Sequence, residues 1–351
     1  SAGSFASLVA LALGGGCGKG AETSAPPLFK LLSSSNTGIA FANTIPTSDS
    51  INILTNVYLY NGGGVGIGDI DNDGLADIFL TGNMVSSRLY VNKGNMRFED
   101  ITQSAGVTTH GWASGVSLVD INNDRYLDIY VSMSGPPWAK PEDTRNLLFI
   151  NNGNRTFTES AAKYGVDDSG YTTHAVFFDY DGDRDLDLFL LGNSPQDFAR
   201  SQLELHPAGI RRLSYAGEDR LYRNNGNGSF TDVSRAAGIL AEAQFGLGVV
   251  VNDFNRDGWP DLYLSDDDVA DDVLYINNHD GTFSDKSHTW LKHTSFAGMG
   301  VDAADFNNDG WPDIAQTDMM PEDMPTRKRM SGAVSRSDQL ERRRRGHMEA
   351  Y

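Results

Sequence analysis

The chain has 351 residues, among them 38 glycines and 47 Asp or Glu residues, and its formal net charge is −19. Proteins that bind nucleic acid neutralise phosphates with Lys and Arg, so this acidic balance argues against a nucleic-acid partner and fits cation binding or simple solubility. The single cysteine, Cys17, excludes a disulfide framework within the chain.

The N-terminal segment has the order of a signal peptide. Phe5 to Leu13 are apolar or small, and three glycines and Cys17 follow. A small residue directly before a lone cysteine resembles a bacterial lipobox, in which that cysteine is lipidated. An initiator Met and a basic flank are missing, so the alternative is a tail with an incidental cysteine. We interpret residues 1–27 as a signal segment and tether, and expect an extracellular or outer-surface location with a lipid anchor at Cys17.

One nine-residue pattern then occurs five times. It has Asp at positions 1, 5 and 9 and Asp or Asn at position 3, and its copies begin at Asp69, Asp120, Asp179, Asp253 and Asp305. Successive starts lie 51, 59, 74 and 52 residues apart. Self-similarity at such a period indicates a repeat architecture.

A second pattern, Leu-aromatic-x-Asn followed by Gly and Phe, comes after each of the first four copies and begins at Leu89, Leu148, Leu221 and Leu274. Apolar runs precede and follow every loop. Asn-Gly steps at Asn61–Gly62, Asn152–Gly153 and Asn225–Gly226 predict hairpin turns. Four strands per repeat of about 50 residues predict an all-β fold, a β-propeller over residues 28–320. The longer third repeat predicts a surface insertion at residues 195–217.

The chemistry of the nine-residue loop favours calcium. Hard divalent cations prefer oxygen ligands, and calcium takes 6–8 of them, whereas magnesium tends to keep its waters. We expect side chains 1, 3, 5 and 9 and the carbonyl of position 7 to bind the ion. Glycine at position 6 permits a sharp turn; Arg125 and Arg184 replace it in the second and third loops, at a cost of about 1 kcal/mol if that conformation is left-handed.

The predicted metal ligands are therefore five residues in each of five loops. They are Asp69, Asp71, Asp73, Leu75 and Asp77; Asp120, Asn122, Asp124, Tyr126 and Asp128; Asp179, Asp181, Asp183, Asp185 and Asp187; Asp253, Asn255, Asp257, Trp259 and Asp261; and Asp305, Asn307, Asp309, Trp311 and Asp313. About five Ca²⁺ ions would change the formal net charge from −19 to −9. No catalytic or organic-cofactor motif is present.

The fifth copy predicts an incomplete ring. Its loop is followed by the strand Ile314 to Gln316 but not by the second pattern. Propellers close with 4–8 blades, so we expect further blades beyond this chain. The alternative is that residues 28–60, with a predicted strand from Ile53 to Tyr60, close a five-bladed ring. Residues 321–351 are predicted to be a basic tail or an inter-blade segment.

Three smaller features have open interpretations. The acidic run from Asp266 to Asp272 is interpreted as a solvated loop, with an additional cation site or a ligand-facing loop as alternatives. Trp259 and Trp311 occupy the same loop position and are predicted to pack between blades, whereas Trp138 is a candidate sugar contact. The four arginines at 342–345 are interpreted as part of a solvated end, with contact to lipid headgroups or to the acidic rim as the alternative.

These motifs resemble the FG-GAP/VCBS repeat family, whose calcium loops line the propellers of integrin α chains. The closer resemblance, through the Leu-Tyr-x-Asn-x-Gly pattern and the steps Ala105–Gly106 and Ala237–Gly238, is to bacterial surface proteins related to cartilage acidic protein. The resemblance implies a cell-surface binding or adhesion module for glycans or proteins. A calcium-dependent glycan-active enzyme, such as a polysaccharide lyase, is the alternative. No apolar run has the length of a membrane span.

Overall fold

The computed structural model describes residues 28–136, 139–193, 217–239, 245–267, 271–295 and 297–319. The chain forms two compact units, Ser1–Ser33 and Ser34–Tyr351, and the strands described below lie in the second. Cys17, Trp138, most of the predicted insertion and residues 321–351 lie outside the described residues. Within the described ranges, no helix combines the length and the apolar character needed to cross a membrane.

The described regular structure is mostly β. The strands are β1 Val65–Gly68, β2 Asp77–Leu80, β3 Arg88–Asn92, β4 Phe98–Asp100, β5 Trp112–Val119, β6 Asp128–Ser134, β7 Leu147–Asn151, β8 Phe157–Glu159, β9 Thr172–Phe178, β10 Asp187–Gly192, β11 Arg220–Asn224, β12 Phe230–Asp232, β13 Gly246–Asn252, β14 Asp261–Asp266, β15 Val273–Asn277, β16 Phe283–Asp285, β17 Gly298–Ala304 and β18 Asp313–Asp318. Short helical turns occupy Ser34–Thr37, Thr102–Ala105, Pro141–Asp143, Ala161–Tyr164 and Ser287–Trp290.

The strands form antiparallel sheets in chain order. Four sheets of four strands, β1–β4, β5–β8, β9–β12 and β13–β16, are followed by the pair β17–β18. In the first sheet Ile78 pairs with Ile67 on one side and with Tyr90 on the other. Each sheet is thus a meander in which every strand pairs with its neighbour in sequence, as the regular spacing of the two motifs predicted.

The first strands of successive sheets lie side by side. β1 contacts β5, β5 contacts β9, β9 contacts β13 and β13 contacts β17. The approach is close: a Cβ atom at Gly115 would lie 2.7 Å from the carbonyl oxygen of Thr173, and Ser114 Oγ donates a 2.6 Å hydrogen bond to the carbonyl of Thr172. Sheets that radiate from neighbouring inner strands are blades, so the predicted all-β propeller fold is confirmed.

The hydrophobic cores lie between sheets. One core combines Phe79 and Leu89 of the first sheet with Val116, Ile129 and Phe149 of the second, and equivalent cores join the later sheets in turn. Strands β6 and β14 are therefore buried almost throughout, on both faces. Long apolar runs after the loops follow from this two-sided burial, because each middle blade packs against two neighbours.

Two local predictions are wrong. Residues Ile53 to Tyr60 form turns and not a strand, because the Asn52 and Asn56 side chains accept hydrogen bonds from the backbone N–H groups of Leu54 and Tyr58. Asn61–Gly62 precedes β1 and is not a hairpin, whereas Asn152–Gly153 and Asn225–Gly226 do connect paired strands.

The two end sheets are not joined by strand pairing among the described residues. Each has one open face: the side chains of Val65 and Ile67 are 58% and 66% exposed, and Phe306 beside the last sheet is 57% exposed. The five-bladed closure is not observed in the described part of the chain, and the incomplete ring stays a prediction.

Candidate metal centres

All five acidic loops occupy the same place in their blades. Each connects the inner strand to the second strand, and its position-9 aspartate is the first residue of that second strand: Asp77, Asp128, Asp187, Asp261 and Asp313. The strand fixes the backbone of this aspartate, while positions 1 to 6 form the turn. One carboxylate is thereby held rigidly against the rest of the loop.

The first loop shows how the carboxylates are oriented. Asp69 accepts hydrogen bonds from the backbone N–H groups of Asp73 and Gly74, at 3.1 and 2.8 Å. Asp77 is buried and accepts from Ile70 at 3.0 Å and from Asn92 at 2.7 Å. These bonds turn both side chains toward the interior of the loop. The same pattern recurs in the other four loops, where the position-1 aspartate accepts from the N–H groups of positions 5 and 6.

In two loops three carboxylates converge. One oxygen each of Asp69, Asp71 and Asp77 lie within 4.8 Å of one another, and Asp179, Asp181 and Asp187 of the third loop do the same. Oxygen atoms at this separation could share one cation as ligands. The second, fourth and fifth loops have Asn at position 3, so this position offers an amide oxygen there in place of a carboxylate.

Positions 5 and 7 are less directly placed. The Asp73 carboxylate accepts a hydrogen bond from the Leu75 backbone N–H at 2.9 Å, and the equivalent pairs in the other loops make the same bond. This bond brings position 5 to the same turn. The ligand roles of Asp73, its equivalents and the position-7 carbonyls stay predictions.

Burial makes the position-9 carboxylates unusual. Desolvation raises the pKa of Asp128 and of Asp187 to about 7 and that of Asp261 to about 6, against the lowering effect of backbone hydrogen bonds. The pKa of Asp77 is also raised, chiefly by burial. Acidic groups that are buried without a neutralising charge bind a proton more readily, and a metal ion would compete with that proton.

The loop backbone is left-handed at two positions. At position 6, φ is 87° for Gly74, 73° for Arg125 and 76° for Arg184, so the two arginines adopt a conformation that glycine adopts at lower cost. At position 4 the residue is left-handed as well, for example Asn72 with φ 59° and Arg256 with φ 61°. The glycines of the loops indicated a left-handed conformation at position 6, whereas nothing in the sequence indicated one at position 4.

Side chains from neighbouring hairpins contact the loop carboxylates. Arg155 Nε lies 2.6 Å from Asp71 Oδ2, although the two groups are not aligned as a hydrogen bond. In the fourth loop His279 Nε2 lies 2.8 Å from Asp257 Oδ2, and its ring stacks on Trp259 with centroids 4.9 Å apart. Both basic residues come from the hairpin after the third strand of a blade.

The position-7 tryptophans lie at contacts between successive loops. A Cβ atom at Gly182 of the third loop would lie 3.0 Å from the ring of Trp259 in the fourth. The guanidinium of Arg256, at the same position of the fourth loop, lies 5.1 Å from the ring centre of Trp311 in the fifth. The structure therefore places these rings beside the preceding blade, as predicted, although Trp311 remains half exposed.

Sequence reasoning missed the role of the asparagine in the second motif. The backbone N–H of Asn92, Asn151, Asn224 and Asn277 donates to the position-9 aspartate of its own blade, at 2.7 to 2.9 Å. These backbone donors help to orient the position-9 carboxylates. Their fixed distance from each loop was visible in the sequence and was the available indication.

The described residues of the acidic run after the fourth loop do not form a solvated loop. Asp266, Asp267 and Asp272 are all buried, so that interpretation is wrong. Asp266 ends β14, and its backbone N–H donates to Asp272 at 2.9 Å. These three aspartates lie in the contact between blades and not at the solvent-exposed edge of a blade.

The chain matches known repeats and relatives. Residues 69–131, 138–190, 210–264 and 253–315 match the family model of the FG-GAP-like repeat. Cartilage acidic protein 1 from Mus musculus is 27% identical over 234 residues, which cover 66% of this chain and 32% of that protein; the Homo sapiens protein is 27% identical over 237 residues, with the same coverage. The chain thus spans about a third of the length of these curated relatives.

Two solved structures are similar to part of this chain. An Agrocybe aegerita lectin described as recognising non-reducing terminal N-acetylglucosamine has a TM-score of 0.42 and 19% identity, covering 72% of this chain and 59% of its own. The V. cholerae biofilm matrix protein Bap1 has a TM-score of 0.35 and 16% identity, covering 63% and 27%.

Proposed function

The chain belongs to the FG-GAP-like repeat family, and we propose that it is a calcium-binding β-propeller that acts as a binding or adhesion module at the outer cell surface. The observation that carries the calcium part is the convergence of three carboxylates in the first and third loops. Calcium suits this set better than magnesium, because flexible carboxylates and carbonyls fill a shell of 6–8 oxygens. We propose one ion in each of the five loops.

The ions would act mainly on the fold. Each loop joins the inner strand of a blade to its second strand, so an ion there fixes the connection between them. Metal binding to a site that does not preform in the unfolded chain contributes directly to folding free energy. A chain without internal disulfides gains a second means of stabilisation in this way.

A ligand surface is available where the inner strands meet. A cavity of about 470 Å³ is lined by residues of five blades, including Tyr58, Trp112, Ser134, His174 and Met299. Burial lowers the pKa of His174, so its imidazole is neutral near pH 7. Aromatic faces beside hydroxyl and amide groups suit sugars and peptides, so we propose this cavity as the binding site for a glycan or protein ligand.

The calcium proposal is tested by metal analysis of the purified chain. We expect at least five equivalents of calcium after dialysis against calcium-containing buffer, and a clear loss of bound calcium in Asp179→Asn, which removes from the third loop the position-1 carboxylate that all five loops share. Magnesium at the same concentration is expected to compete weakly. Unchanged calcium content in Asp179→Asn would contradict the assignment.

The ligand proposal is tested on a glycan array with and without EDTA. Trp112→Ala, in the cavity wall, is expected to abolish binding, whereas Trp290→Ala, on the outer turn Ser287–Trp290, should leave it intact. An equal loss of glycan binding in both variants, or unchanged binding in both, would contradict the assignment of the cavity as the binding site. Shortening of a bound polysaccharide would indicate the lyase alternative.

The surface location rests on the sequence of residues 1–27 alone. We propose lipidation of Cys17, which would hold the propeller at the membrane surface. Expression of the full-length precursor in a bacterial host with a labelled fatty acid is expected to label the wild type and not Cys17→Ser.

A further inference from the structure

One hydrogen bond recurs in all four four-stranded blades, and its side-chain acceptor is an aspartate in the third and fourth blades. The backbone N–H five residues after the position-9 aspartate donates to a side chain that lies just before the third strand. The pairs are Gly82 with Ser87 at 3.3 Å, Met133 with Asn146 at 2.7 Å, Gly192 with Asp219 at 2.8 Å and Asp266 with Asp272 at 2.9 Å. Serine and asparagine suffice in the first two blades, so the hydrogen bond itself does not require a carboxylate.

Two of these aspartates have an oxygen that receives no hydrogen bond. Asp219 is 2% exposed and accepts from Gly192 through Oδ1, while its Oδ2 is buried without a partner. Asp266 is fully buried and accepts from Phe245 through Oδ1 at 3.0 Å, and its Oδ2 is likewise unpartnered. Native proteins rarely leave such atoms unsatisfied, because burial of an unpaired carboxylate oxygen is costly.

A third unpartnered oxygen belongs to the same junction. Asn193 follows Gly192 and forms an isolated β-bridge with Phe245, the residue that donates to Asp266. Asn193 is 4% exposed; its Nδ2 donates to the carbonyl of Gly246 at 3.4 Å, and its Oδ1 has no partner.

The first blade shows how this asparagine can be satisfied. Asn83 holds the equivalent place after Gly82, donates to the carbonyl of Ala113, and accepts through Oδ1 from Asn43 at 2.5 Å. The Asn193 oxygen at the junction of the third and fourth blades is therefore left open where its counterpart in the first blade is occupied.

The local charges favour a positive ligand. The largest charge interactions acting on Asp266 come from three other carboxylates, those of Asp219, Asp272 and Asp267. Asp272 has both oxygens engaged, by the N–H groups of Asp266 and Ser295 and by the Tyr263 and Gln316 side chains. The carboxyl oxygens left without a hydrogen-bond partner are thus Oδ2 of Asp219 and Oδ2 of Asp266.

We propose that the junction between the third and fourth blades holds a further divalent cation, of the calcium type, bound by Asp219, Asp266 and Asn193. Two carboxylates neutralise a divalent ion, and an all-oxygen ligand set selects a hard cation over zinc or copper. This site is separate from the nine-residue loops, because none of its three residues belongs to the nine-residue motif. It would join blades to one another, whereas a loop ion acts within one blade.

The first test locates the ion directly. Crystals of the wild-type chain grown with calcium, and then with terbium as its anomalous substitute, are expected to show a peak between the carboxylates of Asp219 and Asp266. Occupied loops with no peak at the junction would overturn this proposal and leave the proposed function intact. Empty loops would instead contradict the proposed function.

The second test counts ions in solution by equilibrium dialysis with radioactive calcium. The double variant Asp219→Asn and Asp266→Asn is expected to bind one ion fewer per chain than the wild type. Asp49→Asn, an exposed aspartate outside both kinds of site, is the control for lost charge and should bind the wild-type number. Circular dichroism checks that each variant is folded.

A proton shared by the two carboxyl groups is the competing account. Under that account the double variant binds as many ions as the wild type and is at least as stable at pH 7, because no charge need be buried. That result would overturn the proposed cation site.

Discussion

The side-chain amide of Asn277 donates a 2.8 Å hydrogen bond to the backbone carbonyl of Tyr180, and so connects the fourth blade to the second position of the third loop. Asn151 makes the same contact to Ile70, between the second blade and the first loop. Among the described residues, Asn224 of the third blade bonds within its own blade, to Leu186 and to Gly226 of the following turn. Equivalent residues of the repeat therefore differ in whether they reach the preceding blade.

We expect Asn277→Ala to lower the free energy of unfolding by about 2 kcal/mol more than Asn224→Ala. The reason is that Asn277→Ala leaves the buried Tyr180 carbonyl without its donor, in addition to the contacts that both variants lose. Urea denaturation of the calcium-loaded chain measures both. Equal losses would mean that the bond between blades adds no stability.

Removal of calcium should lower the thermal unfolding midpoint. At a calcium concentration 100 times the dissociation constant, each independent site contributes about 2.7 kcal/mol to the stability of the folded state. Scanning calorimetry with EDTA, followed by calcium in excess, is expected to show a reversible decrease. A midpoint that does not move would indicate that the loops fold without ions.

The second loop should bind calcium more weakly than the first. It has Asn122 in place of an aspartate and Arg125 in a left-handed conformation. Arg125→Gly is expected to increase stability by about 1 kcal/mol by relieving that conformation. Gly74→Ala in the first loop is the matched reverse change and should be destabilising by a similar amount. Crystals grown in limiting calcium give the occupancy of each loop. A second loop that fills before the first would contradict this order of affinities.

The metal-free chain should become less stable as pH rises. Burial raises the pKa of Asp128 and Asp187 to about 7, well above the usual value of an aspartate. The folded state therefore holds protons that the unfolded chain has lost, so their contribution is complete below about pH 4 and disappears as pH rises through 7.

Denaturation midpoints of resin-stripped protein between pH 5 and pH 8 measure this dependence. The double variant Asp128→Asn and Asp187→Asn should show a flatter profile, and calcium should remove the decrease in the wild type by replacing the protons. A profile that rises with pH in the stripped wild type would contradict the assignment of these two groups.

The repeats made the loops predictable, because metal ligands must recur at fixed spacing and the strands on either side recur with them. Asp69 and Asp77 were therefore predicted from sequence as metal ligands. The structure brings one oxygen of each within 4.8 Å of the other, and their ligand role stays a prediction. The acidic run at Asp266 was misjudged because its burial depends on how two blades stack, which local composition does not encode. Comparison of Asp219 and Asp272 with Ser87 and Asn146, their counterparts in earlier blades, would have indicated that a polar residue recurs two positions before the second motif.

The placement of every core between two sheets also governs how the molecule opens. Each core lies between two neighbouring blades. Detachment of an end blade therefore exposes one core, whereas detachment of a middle blade exposes two. Opening should therefore start at the ends and move inward, in the manner of a one-dimensional array with nearest-neighbour coupling. Amide protons of β6, β10 and β14, in the three middle blades, should exchange slowest, and those of the two end sheets, β1–β4 and β17–β18, should exchange faster.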